Sequence, residues 1–100
     1  GSTMTLEVKL KAGFFKTLRY HLTIGRGQIS LIPRDAADKK FVIDNNELIS
    51  LCIFKKSNQT GELEIVAQSR VYTLDFTIQS NLDDVRQAFA KEFGNKFISQ

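Results

Sequence analysis

The chain of 100 residues has one cysteine, one histidine, one proline and no tryptophan. A lone Cys52 excludes an intramolecular disulfide and fits a reducing cytoplasm. Set between Leu51 and Ile53 in an apolar run, it reads as a small filler rather than a nucleophile. His21 has no Cys or carboxylate cluster beside it. Metal sites need three or four ligands, so neither a metal nor any other cofactor is expected. No Gly-x-Ser-x-Gly run and no Cys–His pairing offers nucleophilic catalysis. Gly25-x-Gly27 lacks the third glycine and following helix of a nucleotide loop. No window approaches the ~20 apolar residues of a membrane span, and no signal-peptide pattern occurs. These absences point to a soluble, cytoplasmic, non-enzymatic chain.

What is present is ordinary for a globular domain: 42% of residues are hydrophobic and 25% charged. One domain of this size buries roughly 60–70% of its unfolded surface, enough to fold without staples. Gly1 and Ser2, with Thr3, read as a cloning remnant ahead of Met4. The net charge of +3 is unevenly spread. Residues 1–40 carry eight Lys or Arg against three acids, and residues 41–100 carry six against eight. A basic half could steer the chain toward an anionic surface, and it could equally be a solvated sheet face.

Alternation dominates residues 5 to 78. Leu6, Val8 and Leu10 share one face of a first strand, with Glu7, Lys9 and Lys11 on the other. Residues 12–16 break the period and read as a turn. Leu18, Tyr20, Leu22 and Ile24 point inward from a second strand, leaving Arg19, His21 and Thr23 outward. Gly25-Arg26-Gly27 is a tight hairpin, and Pro33 ends a third strand from Gln28. Arg34 to Lys39 is a polar connection, and a short fourth strand covers Phe41 to Ile43.

The fifth strand, Leu48 to Lys55, places Ile49, Leu51 and Ile53 on one face and Leu48, Cys52 and Phe54 on the other. Residues 57–61 are a turn. Two further strands present Leu63, Ile65 and Ala67, then Tyr72, Leu74, Phe76 and Ile78. A helix follows, capped by Ser80 with Asp83 in a variant capping box, and Gly94 is its left-handed stop. Leu82, Val85, Phe89 and Phe93 form its apolar face, with Ala88 at the margin. The expected fold is mainly β: a bent, seven-stranded antiparallel sheet or partly open barrel, capped by one C-terminal α-helix. Missing crossover helices exclude a parallel sheet.

On these elements the chain resembles the pleckstrin-homology superfold, as a single domain over residues 5–97. The runs Lys16-Thr17-Leu18-Arg19-Tyr20-His21-Leu22, Gly61-Glu62-Leu63-Glu64-Ile65 and Tyr72-Thr73-Leu74-Asp75-Phe76 are similar to small bacterial and GRAM-like members. The helix tryptophan of eukaryotic members is missing, with Val85 in its place. The resemblance implies a binding module. Its best-known ligands, inositol phospholipid headgroups, are held by a first-strand Lys and a basic-x-Arg pair on the second. Lys16 matches the first member of that pair, but Leu18 stands where Arg is needed, and Lys9 and Lys11 point to the other face. The phosphoinositide signature is therefore incomplete.

Three surfaces remain. The tip Lys11-Ala12-Gly13-Phe14-Phe15-Lys16 could dip two rings into a bilayer interface while Lys11, Lys16 and Arg19 meet lipid phosphates. The bland expectation is that one Phe folds back to seal the barrel mouth. The outward row Lys9, Lys11, Arg19 and His21 is a basic patch, but no aromatic stacking platform shares that face, which argues against nucleic acid. In the related phosphotyrosine-binding branch a peptide adds beside the fifth strand. Leu48, Ser50, Cys52 and Phe54 would offer such an edge or a dimer seam. The first expectation is thus an adaptor acting through protein contacts or self-association. The alternative is weak peripheral binding to anionic membrane lipids through the first hairpin.

Overall fold

The computed structural model describes residues 3–57, 60–77 and 82–99. Among these residues eight strands, β1 (Met4–Lys11), β2 (Thr17–Gly25), β3 (Gln28–Pro33), β4 (Phe41–Asp44), β5 (Leu48–Lys55), β6 (Thr60–Ala67), β7 (Val71–Thr77) and β8 (Phe97–Ser99), form one sheet. Their order is β4-β3-β2-β1-β7-β6-β5-β8. One helix, α1 (Leu82–Phe93), and a 3-10 turn at Gly94–Lys96 lie between β7 and β8. The architecture is mainly β with a C-terminal helix and is pleckstrin-homology-like. Ile78 and the capping Ser80 expected from the sequence lie outside the described residues.

Strand parity follows the sequence pattern. Val8, Leu10, Tyr20, Leu22 and Ile24 are buried, and their odd-numbered neighbours Lys9, Arg19 and His21 are exposed. Burying an aliphatic or aromatic side chain stabilises by about 1.5–3 kcal/mol, so a one-residue slip would forfeit the whole inward row. The β2–β3 hairpin turns through Arg26 at φ 56° and Gly27 at φ 72°, the two left-handed residues that a twist-matched tight turn needs. Helix α1 buries Val85, Phe89 and Phe93 against the sheet and packs on β2 and β8. Its Glu92 carboxylate accepts a hydrogen bond from the Gly27 N–H at 3.0 Å, tying the helix to that turn. Gly94, at φ 57°, ends the helix as the left-handed stop.

Two expectations are corrected. The sheet has an eighth strand, and it runs parallel to β5 with Leu51 opposite Phe97 and Cys52 opposite Ile98. The parallel pair needs no long crossover of its own because α1 and the 3-10 turn already carry the chain back. The second correction concerns β5. A register shift between Leu48 and Ser50 puts Leu48 inside, opposite Ala67, and turns Ile49 out to 56% exposure. One extra residue in a bulge resets the parity of everything before it, so Ile49 does not share a face with Leu51 and Ile53.

The first and seventh strands meet only briefly. β1 and β7 pair at Lys9 with Asp75 and at Leu10 with Leu74. The two strands then diverge toward Met4 and Thr77, and this divergence opens a cleft.

Candidate functional site

The β1–β2 hairpin closes with the Ala12 N–H donating to the Lys16 carbonyl at 2.9 Å. Gly13, at φ 151°, supplies a backbone conformation that other residues rarely adopt. The consequence is that Phe14 and Phe15 both stand fully in solvent, at 101% and 103% exposure. Their rings sit 6.4 Å apart, tilted by 43°, and neither folds back over the barrel mouth. The bland expectation for this loop therefore fails. Two adjacent exposed aromatics forgo burial worth about 1.5–3 kcal/mol each, which folding alone does not explain.

Of the lysines bracketing the tip, only Lys16 is left to solvent without an ion pair among the described residues. The Lys11 ammonium lies 3.0 Å from Glu62 and 4.0 Å from Asp75. Lys56, from the end of β5, reaches the same two carboxylates at 2.8 and 3.3 Å. Two cations and two anions from four parts of the sheet thus form a neutral net. Hydrogen bonds from Lys56 and then Lys11 hold the Glu62 carboxyl below the usual carboxylate range, and hydrogen bonds to Glu62 and Asp75 push the Lys56 ammonium up. A carboxyl depressed by folding contributes stability above its unfolded pKa, ~4.3, and loses it as pH falls through the folded value. The raised ammonium contributes below its unfolded pKa, ~10.4, and loses that contribution as pH rises through the folded value. Glu62→Gln is accordingly expected to lower Tm by a few degrees at neutral pH. The difference should shrink as pH falls through the folded value of Glu62, where both chains come to carry neutral groups at this position, as thermal unfolding monitored by circular dichroism would show.

With Lys11 and Lys56 paired, the outward face of β1 and β2 and the bend just past β3 still carry Lys9, Arg19 and Arg34, with Glu7 beside them facing a His21 that is charged only when protonated. Lys9 stands directly opposite Arg19 in the β1–β2 register, and the Arg34 N–H donates to the Arg19 carbonyl at 2.9 Å. All three are exposed, and none makes an ion pair among the described residues. They line the cleft left by the parting of β1 and β7, a cavity of about 450 Å³ that also meets the acids Glu7 and Asp75, with His21, Lys56 and Phe76. Lys9 and Arg19 thus converge on one pocket, although the inward row stays apolar. Both rows line it, Val8, Tyr20 and Phe76 of the inward one and Lys9, Arg19 and His21 of the outward one. Arg34 is the member that sequence reasoning missed. It follows Pro33 in a polar connection, and only the Tyr20–Pro33 pairing sets it beside Arg19.

The protein-contact candidates fare differently. Leu48 and Cys52 are buried, Ser50 and Phe54 are half-buried, and β8 occupies the flank of β5 that was expected to be open. Burial, followed by the neighbouring Glu64, pushes the Cys52 thiol up, which suits a packed filler. Elsewhere the Arg70 guanidinium lies 4.8 Å from the Phe41 ring and 4.6 Å from Tyr72, sealing the β6–β7 corner rather than offering charge. Among the described residues no group of three His, Cys, Asp or Glu could hold a metal, and no helix is long and apolar enough to cross a membrane.

No protein-family model and no curated protein matches the chain. Solved structures do share its fold. It is similar to a chain of the Spt16D Pob3N heterodimer, with a TM-score of 0.74 at 11% identity over 100% of this chain and 55% of the other. The chain therefore spans little more than half the length of that neighbour. It is also similar to the pleckstrin homology domain of USP37, with a TM-score of 0.63 at 10% identity over 95% of this chain and 99% of that one. At such identities the likeness establishes the fold alone.

Proposed function

We propose that this domain is a non-enzymatic docking module that meets an anionic membrane surface through the tip of its β1–β2 hairpin. The observation that carries the reading is the full exposure of both Phe14 and Phe15 beside Lys16, on the more basic half of the chain. Apolar rings at the level of the acyl boundary and ammonium groups at the phosphates are the two attractions an interfacial anchor needs. The Lys9, Arg19 and Arg34 row adds long-range attraction, which falls off within a Debye length of ~10 Å at 0.1 M salt.

Co-sedimentation with vesicles tests it. Binding should require phosphatidylserine, weaken steeply with added salt, and fall at least about tenfold in the Phe14→Ala, Phe15→Ala double variant. Losing only ~1.4 kcal/mol of apolar burial gives that factor. Because the rings touch little but each other, the variant should keep the native Tm. Binding that ignores either the rings or the anionic lipid would sink the reading.

A protein partner is the second reading. One structural neighbour comes from a heterodimer, and β4 ends the sheet with no strand on its outer side among the described residues. Val42 on that strand is 43% exposed. If this edge is the docking element, vesicles stay unbound. Sedimentation velocity should then show self-association, which Val42→Lys disperses by charging the edge.

A further inference from the structure

We propose that the domain associates with a second copy of itself. The β1–β2 hairpin tip of one copy seats on the outward face of β5 to β8 of the other, where Lys16 meets Glu64. The inference goes beyond the docking reading and does not rest on it, although it gives the same two rings a second destination.

The face is set by strand parity. Leu51, Ile53, Leu63, Ile65 and Leu74 point into the core, so the residues between them point out. The register then lines up Thr73, Glu64, Cys52 and Ile98 across β7, β6, β5 and β8. Val71, Val66 and Ser50 form the adjacent row, with Ile49 turned out at the bulge beside them. At ~4.8 Å between strands, the first row is about 14 Å wide. Single exposed aliphatic side chains are ordinary, but a contiguous patch holding Ile49, Val71 and Ile98 marks an interaction surface. The opposite edge of the sheet differs. There Val42 is followed across β3, β2 and β1 by Ser30, Thr23 and Thr5, a row of hydroxyls.

Charge selects the occupant. Glu62 and Asp75 share this outward face and are engaged by Lys11 and Lys56. Glu64 is half-buried between Cys52 and Thr73, and it makes no ion pair among the described residues. An anionic membrane is repelled by that carboxylate, and two such faces packed together would set Glu64 against Glu64. A cation flanked by apolar groups fits instead. The chain carries one in Lys16 beside Phe14 and Phe15, where rings lack an apolar partner and the ammonium lacks a carboxylate. Each surface supplies what the other is missing.

Size sets the strength. A buried aromatic covers ~150–250 Å², so two rings and the surface beneath them remove roughly 600–1,000 Å² from water. That is below the ~1,200–2,000 Å² of stable interfaces, so the contact is transient. The dilute domain is then monomeric, with its tip free.

Sedimentation velocity over a range of protein concentrations tests this, with charge reversal as the probe. The sedimentation coefficient should rise with concentration, and less steeply in added salt. Lys16→Glu and Glu64→Lys should each weaken association at least about tenfold, because like charges then meet. An equimolar mixture of the two variants should regain it, since the tip of each now faces opposite charge on the other. The Phe14→Ala, Phe15→Ala variant should abolish association, and Val42→Lys should leave it unchanged. Lys16 lies on an exposed loop, so its reversal spares the fold. Should Glu64→Lys lose the native Tm, Lys16→Glu and the shape-preserving Glu64→Gln decide alone, the latter weakening association and flattening its salt dependence. Glu64→Lys should still bind phosphatidylserine vesicles, so loss of self-association and loss of membrane docking are read separately. A sedimentation coefficient indifferent to concentration overturns the proposal. So does association that survives Lys16→Glu, ignores Glu64→Gln, stays lost in a mixture of folded reversals, or yields to Val42→Lys.

Discussion

Phe89→Ala should destabilise the domain by about 3–5 kcal/mol, a large part of the ~5–15 kcal/mol that holds a typical domain together. Phe89 is 1% exposed, and its ring stacks on Phe97 at 5.7 Å and lies 6.4 Å from Phe93. It therefore holds two things in place, the apolar face of α1 and the short strand β8. Three residues of parallel pairing are a weak anchor by themselves, so β8 depends on that ring for its seat on β5. Urea unfolding should show a much lower midpoint with a nearly unchanged slope. Hydrogen exchange should quicken at residues 97–99 more than at the β1–β2 pairing. A loss of unfolding free energy below about 1 kcal/mol would mean that the helix does not close the core as described.

Gly61→Val should cost about 1–3 kcal/mol through overpacking, a fall in Tm on the order of 5–20 °C. Gly61 faces Phe76 across the β6–β7 pair, and a Cβ there would lie 2.8 Å from the Phe76 Cζ. Phe76 is 5% exposed, so its ring has little free space to move into. The backbone at Gly61 is not the difficulty, because it has no left-handed φ; the obstacle is the ring alone. Phe76→Leu in the Gly61→Val background should recover part of the loss, which differential scanning calorimetry can read as a non-additive pair. Full additivity of the two changes would remove the ring from the explanation.

Much of this fold is legible in the sequence, for a physical reason. A period of two over four to eight residues fixes which side chains face inward, and Leu22, Leu31, Leu63 and Leu74 all lie where that period puts them. The helix face Val85, Phe89 and Phe93 follows from a period near 3.6 in the same way. What the sequence conceals is long-range. β8 is too short to alternate, and its partner lies far back in the chain at Leu51 to Ile53. The bulge before Ser50 carries no glycine to mark it. The hairpin tip with its two rings is visible in the sequence, but whether Phe14 and Phe15 fold back is decided by the turn geometry at Gly13. The cleft is hidden most deeply. It exists because β1 and β7 stop pairing after two positions, and because the register of β3 brings Arg34 to Arg19.

The same short contact between β1 and β7 governs how the molecule comes apart. β1 to β4 are hairpin-linked neighbours, and so are β5 to β7, so each stack can zip from local turns. Joining the stacks requires closing about two-thirds of the chain into a ring, and the rungs at Lys9 and Leu10 are the latch. Thermal breathing should run along that line before it frays either stack.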